Sequence, residues 1–241
     1  MIKRDIAFTT WTNTECHDVW PMYFGRLEKH VNFSKSYVLL NERTNLINER
    51  HTQLINNEND DFYKRFVDGL SQIEEKYILY MQEDHIFYRD VISENINNFT
   101  EIMEKDNVSN IRLLKSGELG GQEKYKNIYK IPSNSQYLFS QQSSIWNRKD
   151  LIRLMNFYRP SEYRNVEKFG SIAMNNLNYK TYYYYEGEPQ RGSLHCDSKI
   201  FPYIATAVCK RKWNLNQYPV LLKEAIEEYN IDYKKRGIYG N

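Results

Sequence analysis

The chain has 241 residues, of which 41% are hydrophobic and 27% charged, with a formal net charge of +2. This length fits one α/β domain with a sizeable core, and the balanced charge argues against a polyanion-binding surface, so no nucleic-acid partner is expected. No apolar run approaches the roughly 20 residues needed to span a bilayer, which predicts no transmembrane segment. The N-terminus MIKRDIAFTTWTN lacks a signal-peptide core, and Cys16, Cys196 and Cys209 form no CxxC pair. A cytoplasmic protein with reduced thiols is therefore expected.

In chain order, residues 5–11 predict a first strand ending in hydroxyls, followed by an amphipathic helix over 18–31 with Asp18 as its cap and Pro21 in its first turn. Residues 36–42 predict a second, polar-ended strand. Residues 60–75 predict a helix with Phe62, Phe66, Leu70 and Ile73 on one face. It leads into the most informative stretch, Tyr77-Ile78-Leu79-Tyr80-Met81-Gln82-Glu83-Asp84-His85, where an apolar run meets two adjacent carboxylates. Strand, helix, strand, helix, strand implies a parallel sheet, and ligands gather outside the carboxyl ends of such strands. Glu83 and Asp84 thus suit a hard divalent cation that bridges a diphosphate; the competing reading makes Asp84 the cap of a helix beginning near Tyr88.

The second half is less regular. A helix is expected over 91–104, a strand over 110–114 and a loop around Gly117, Gly120 and Gly121. Residues 137–146 lead through Ser144 to Trp146, and a helix opens at Asn147 or Asp150 and runs through Met155. Residues 160–170 read as a polar loop carrying Glu162 and Glu167. The tyrosine run 182–185 reads as a strand of β-formers and not as a sugar-binding platform. A basic segment, Lys210-Arg211-Lys212-Trp213, and a helix over 219–229 close the chain.

Neither a P-loop nor a GxGxxG turn follows the first strand, which disfavours nucleotide-triphosphate hydrolases and dinucleotide oxidoreductases. The first turn is also glycine-free, which weakens a nucleotidyltransferase. The His17/Cys16 and His195/Cys196 pairs lack zinc-site spacing.

The hydroxyl-ended first strand, the strand running into Gln82-Glu83-Asp84-His85, the Ser140 to Trp146 stretch, the Pro160 to Glu167 loop with Gly170-Ser171, and the late Lys212-Trp213 pair together resemble a GT-A glycosyltransferase of the family 2 type. The resemblance is to compact transferases of surface-polysaccharide clusters and of large DNA viruses or phages, and it spans most of the chain. It implies an α/β fold: a single GT-A, Rossmann-like domain over 1–241 with a mixed, mainly parallel sheet flanked by helices. Residues 1–105 would form the nucleotide-sugar half and 106–241 the acceptor half. It also implies a hexosyltransferase-like enzyme, metal-assisted and inverting, acting on a nucleoside-diphosphate sugar donor and a glycan or other hydroxyl acceptor.

In that reading Asp84 is the principal ligand of Mn2+ or Mg2+, and His85 is either a further ligand or a core residue. Glu83 holds the ribose or a metal-bound water, Thr9, Thr10 and Glu42 frame the base and ribose, and Lys212 faces the diphosphate. Trp146 lines the acceptor side, and Glu167, with Glu162 second, is the base. The family pattern is Asp-x-Asp, and Glu83-Asp84-His85 departs from it. The alternatives are a nucleotide-sugar nucleotidyltransferase, a noncatalytic nucleic-acid- or carbohydrate-binding module, and a glycoside hydrolase, which would need a carboxylate pair but no nucleotide.

Overall fold

The most apolar stretch of the chain lies at the centre of the molecule. In the computed structural model, which describes residues 1–116, 120–157, 165–191 and 194–240, the first half alternates strands and helices. These are β1 (Ile6–Trp11), α1 (Trp20–His30), β2 (Ser36–Leu40), β3 (Thr52–Ile55), α2 (Phe62–Ser71), β4 (Tyr77–Gln82), the short β5 (Ile86–Phe87) and α3 (Ser93–Asp106). The second half contains β6 (Asn110–Arg112), β7 (Gln122–Tyr125), β8 (Ile128–Lys130), β9 (Ser144–Asn147), α4 (Arg148–Phe157), α5 (Val166–Asn176) and β10 (Thr181–Tyr184). It ends with β11 (Gln190–Arg191), β12 (His195–Cys196), β13 (Tyr203–Ile204), β14 (Val208–Cys209), β15 (Lys212–Trp213) and α6 (Leu221–Glu228).

Among the described residues, nine strands form one sheet in the order β3-β2-β1-β4-β9-β6-β10-β8-β7. Strands β1 to β4 are parallel neighbours. Strand β9 runs antiparallel to both β4 and β6, and β6 is parallel to β10. The carboxyl ends of β1, β2, β4, β6 and β10 therefore share one edge of the sheet, the edge at which α/β proteins place their ligands.

The alternation of side chains explains the layers. Ile6, Phe8, Tyr77, Leu79 and Met81 face a core shared with α1, α3 and α6, whereas Ala7, Ile78 and Tyr80 face a second core shared with α2, α4 and α5. Strand β4 is covered on both faces, which is why it reads as a continuous apolar run and not as an alternation. Asp61 caps α2 through Lys64 N, and Gly69 lets that helix approach the sheet, since a Cβ there would stand 2.6 Å from Leu39.

The fold is the expected α/β class, a mixed, mainly parallel sheet flanked by helices, but several elements depart from their sequence patterns. Strands β3, β7 and β8 are too short and polar to declare themselves. Residues 165–170, expected as loop, begin α5, and Glu167 lies in its first turn. Asp18 does not cap α1, whose N-cap is Val19 without a side-chain bond. No helix begins near Tyr88: the chain instead forms β5, pairs with β13 and starts α3 only at Ser93, so Asp84 is not a helix cap.

Candidate active site

Strand β4 ends at Gln82, and residues 82–85 form a tight turn closed by His85 N donating to Gln82 O (3.1 Å). The turn presents Glu83 and Asp84 side by side at the sheet edge. Burial, and after it the adjacent Glu83 charge, pushes the Asp84 carboxyl up to about 8; Val208 N–H and Arg236 act in the opposite direction. Burial also raises Glu83, against hydrogen bonds from Cys16 and Thr12. Burial and the Glu83 charge raise the Cys16 thiol in turn, so it stays protonated and donates to Glu83.

Beside the turn opens a cleft of about 320 Å³, lined by Trp11, Thr12, Asn13, Asn41, Asn56, Phe62, Arg65, Gln82 and Glu83. Trp11 meets Phe62 edge-on at 5.1 Å, and the Arg65 guanidinium lies 5.8 Å from the Trp11 ring. Asn41 is held by Thr14, whose N–H donates to Asn41 Oδ1 while Asn41 Nδ2 donates to Thr14 Oγ1, both at 2.9 Å. Asn13 caps the short 3₁₀ turn Thr14–Cys16 by accepting from Glu15 N. The cleft thus combines aromatic faces, carboxamides, one guanidinium and one carboxylate.

The remaining expected site residues fall into three groups. Glu83 and Asp84 stand at the cleft and its rim. Glu167 is linked to them through a relay: its Oε1 accepts from Ser140 Oγ (3.1 Å) and Gln141 N (2.9 Å), while Gln141 Oε1 accepts from Gln82 Nε2 (2.8 Å). Lys212 is exposed at the foot of a two-residue hairpin joining β14 to β15. That hairpin is anchored to the acidic turn by backbone, with Ala207 N donating to Asp84 O and Val208 N–H to the Asp84 carboxylate.

The third group requires correction. Thr9 and Thr10 are fully buried inside β1, where Thr10 Oγ1 bonds Tyr23 Oη (2.7 Å), because the strand continues to Trp11; Thr12 and Asn13 occupy the exit instead. Glu42 is exposed and does not line the cleft; its neighbour Asn41 does. Trp146 is a core residue of β9, 1% exposed and packed on Phe139, so it offers no face to an acceptor. His85 lies inside, with Nδ1 bonded to Ser143 Oγ (3.0 Å) and Nε2 3.8 Å from Asp84 Oδ1. Burial, then the charge of His195, lowers it to about 3, and the neutral ring supports Asp84 from within. Glu162 lies outside the described residues. Gly170 and Ser171 serve packing: a Cβ at Gly170 would strike Phe139, and Ser171 Oγ accepts from Phe139 N.

Two adjacent oxygen donors, both raised by burial and Asp84 also by the Glu83 charge, suit a hard cation that keeps several waters and takes its other ligands from a substrate. Among the described residues no group of three or more His, Cys, Asp or Glu side chains is placed to hold a metal ion. The donor set therefore fits a cation completed by phosphate oxygens and not a closed protein cage.

Residues that sequence patterns did not single out complete the site. Asn13, Asn41 and Arg65 sit one or two positions from strand exits or on the near face of α2. Arg236, from beyond the last helix, reaches the acidic turn and binds Asp18 in a fork, Nε to Oδ2 at 2.6 Å and Nη2 to Oδ1 at 2.5 Å. No periodicity marks it; only the isolated basic run 234–236 in the sequence hinted at it.

No protein-family model and no curated protein sequence matches the chain. Among solved structures, a UDP-glucose pyrophosphorylase complexed with UDP-glucose aligns with a TM-score of 0.51 over 98% of this chain and 100% of its own, at 8% identity. A cytidylyltransferase from Leptospira borgpetersenii aligns with a TM-score of 0.49 over 97% and 98%, and the 1–349 fragment of S. aureus TarS with 0.49 over 96% and 68%, each at 13% identity. At such identities the likeness concerns the fold alone, and only the first carries weight for it. The fold is GT-A-like, a Rossmann-like α/β domain.

Proposed function

We propose that the protein is a metal-assisted, inverting glycosyltransferase that moves a sugar from a nucleoside diphosphate to a hydroxyl group of a glycan or glycoconjugate. The observation that carries this reading is the Glu83–Asp84 turn at the exit of β4, beside a cleft with aromatic walls and amide side chains. Trp11 and Phe62 offer flat faces to a base, and Asn13 and Asn56 offer amide groups to its edge and to the ribose. A Mn2+ or Mg2+ ion on Asp84 and Glu83 would supply positive charge opposite the diphosphate as it leaves.

Glu167 is the base in this reading. Its carboxylate takes the proton of the acceptor hydroxyl while that oxygen bonds to the anomeric carbon; the bond from this carbon to the diphosphate oxygen breaks, and its electron pair leaves with the diphosphate. Ser140 and the Gln141 amide hold the carboxylate in place, and the Gln141–Gln82 bond ties it to the acidic turn. Ser143 and His85 back Asp84 in the same way.

A nucleotidyltransferase would use the same fold, and charge argues against it. The turn after β1, residues 12–19, contains Glu15 and Asp18 and neither lysine nor arginine, whereas attack on a nucleoside triphosphate needs cations close to its phosphates. Product analysis separates the two. With nucleotide sugars, release of free nucleoside diphosphate supports glycosyl transfer; release of pyrophosphate from a sugar phosphate and a nucleoside triphosphate would replace it with nucleotidyl transfer.

A further inference from the structure

The acidic turn is met by a cation from the far end of the chain. Residues 237–239 pair with β15, with Trp213 N donating to Gly237 O (3.0 Å) and Tyr239 N to Trp213 O (2.9 Å). This path carries Arg236 back to the sheet edge, where its side chain is only 12% exposed. Its charge acts on Glu83 and Asp84, and the Cys16 thiol lies between it and Glu83.

The guanidinium is held from two sides. Asp18 takes the edge formed by Nε and Nη2, and the Trp213 ring lies 5.7 Å from the guanidinium carbon. Beyond these, Nη1 makes a long contact to Arg211 O (3.4 Å), and the guanidinium also meets the Cys16 thiol. A guanidinium oriented along one edge by a carboxylate and along its plane by an aromatic ring is held in place, and its weaker contacts, to a carbonyl at 3.4 Å and to a neutral thiol, can be exchanged for charge-assisted bonds to phosphate oxygens.

Charge decides what such a guanidinium would meet. Asp18, Glu83 and Asp84 surround one guanidinium, so a divalent cation would bring the cluster close to neutrality. The phosphates of a bound nucleotide would then add negative charge that the protein must face with a further donor. Lys210, Arg211 and Lys212 are exposed at the hairpin, whereas Arg236 is covered and already aimed.

We propose that Arg236 binds the diphosphate of the donor, with Asp18 as the residue that positions its guanidinium. This rests on the nucleoside-diphosphate reading of the site and adds to it a residue from the C-terminal segment.

The test is calorimetric titration of UDP, CDP, GDP and ADP, and of the four nucleosides, into the full chain at saturating Mn2+. The best-binding pair is then measured with Arg236→Gln, Arg236→Lys and Asp18→Asn. Arg236→Gln should weaken diphosphate binding at least about 10-fold and leave nucleoside binding within about twofold, as expected for loss of a charge-assisted fork. Asp18→Asn should show a smaller loss confined to the diphosphate, and it stands in as the test if Arg236→Gln fails to fold. Arg236→Lys should recover part of the affinity. Equal losses for diphosphate and nucleoside would make Arg236 a structural latch and overturn the assignment. Wild-type affinity for a diphosphate retained in Arg236→Gln would overturn it while leaving the donor reading intact, and absence of any nucleotide binding by the wild type would remove both.

Discussion

In the proposed reading Asp84 is the residue on which most of the chemistry depends, and its ionisation has a consequence for stability. Its folded-state carboxyl titrates at about 8, above its ordinary value of 3.8. Between these values the unfolded chain has released a proton that the folded protein still holds, so stability should fall as pH rises through that window. Asp84→Asn should flatten this part of a melting-temperature profile, and at pH 8 Mn2+ should raise the melting temperature of the wild type more than that of the variant. Parallel profiles for both proteins would show that Asp84 does not titrate as described. The position of Glu83 and Asp84 at a strand exit was legible, because a buried apolar run meets adjacent charges only where it leaves the sheet; the sequence left a helix-cap role for Asp84 equally open. Thr9 and Thr10 misled for a related reason: hydroxyl residues sit comfortably inside a buried strand when a partner such as Tyr23 accepts them, so composition alone does not mark where the strand ends. Thr12 and Asn13, two or three residues further on, line the cleft instead.

At the scale of elements, α5 and the β14–β15 hairpin deserve separate tests. If Glu167 removes the acceptor proton from the first turn of α5, Glu167→Gln should keep donor affinity while the rate falls about 10²- to 10⁴-fold. The amide oxygen can still accept from Ser140 and Gln141, so an intact fold is expected; a near-normal rate would move the role elsewhere. Trp146, by contrast, belongs to the packing of β9 against α4, and Trp146→Ala should cost about 3–5 kcal/mol of stability in urea denaturation. A loss of activity without a loss of stability would restore an acceptor role. The hairpin turns on Lys210 and Arg211, both left-handed, with φ of 48° and 67°, a pairing for which asparagine and glycine are the favoured residues. Replacing the pair by Lys210→Asn with Arg211→Gly should raise stability by about 0.5–1 kcal/mol, read from the same denaturation curves; no gain would mean that the basic side chains stabilise the turn by other contacts. Sequence patterns revealed the long helices and the apolar strands. They concealed α5, which opens without a side-chain cap, and β9, whose direction depends on partners far away in the chain.

For the whole molecule, the sheet explains why a site can be assembled from residues so distant in sequence. Its parallel half brings β1, β2 and β4 to one edge, and β9, inserted antiparallel between β4 and β6, leaves β6 and β10 running the same way as β4, so that they end at that edge too. Alternation of strand and helix made the parallel half legible. The return of Arg236 was not, since a tail without periodicity acquires its place only through backbone bonds to β15. Among the described residues no helix is long and apolar enough to cross a membrane. The central claim is that the edge formed by β1, β2 and β4 is a metal-dependent nucleotide-sugar site. It is tested most directly by calorimetric titration of a panel of nucleoside-diphosphate sugars into the wild type and Asp84→Asn, with and without Mn2+. At least one sugar nucleotide should bind the wild type, at least about 10-fold more tightly with the ion, and Asp84→Asn should abolish that metal-dependent gain; failure of every nucleotide sugar to bind, or a metal-dependent gain undiminished in Asp84→Asn, would contradict the account.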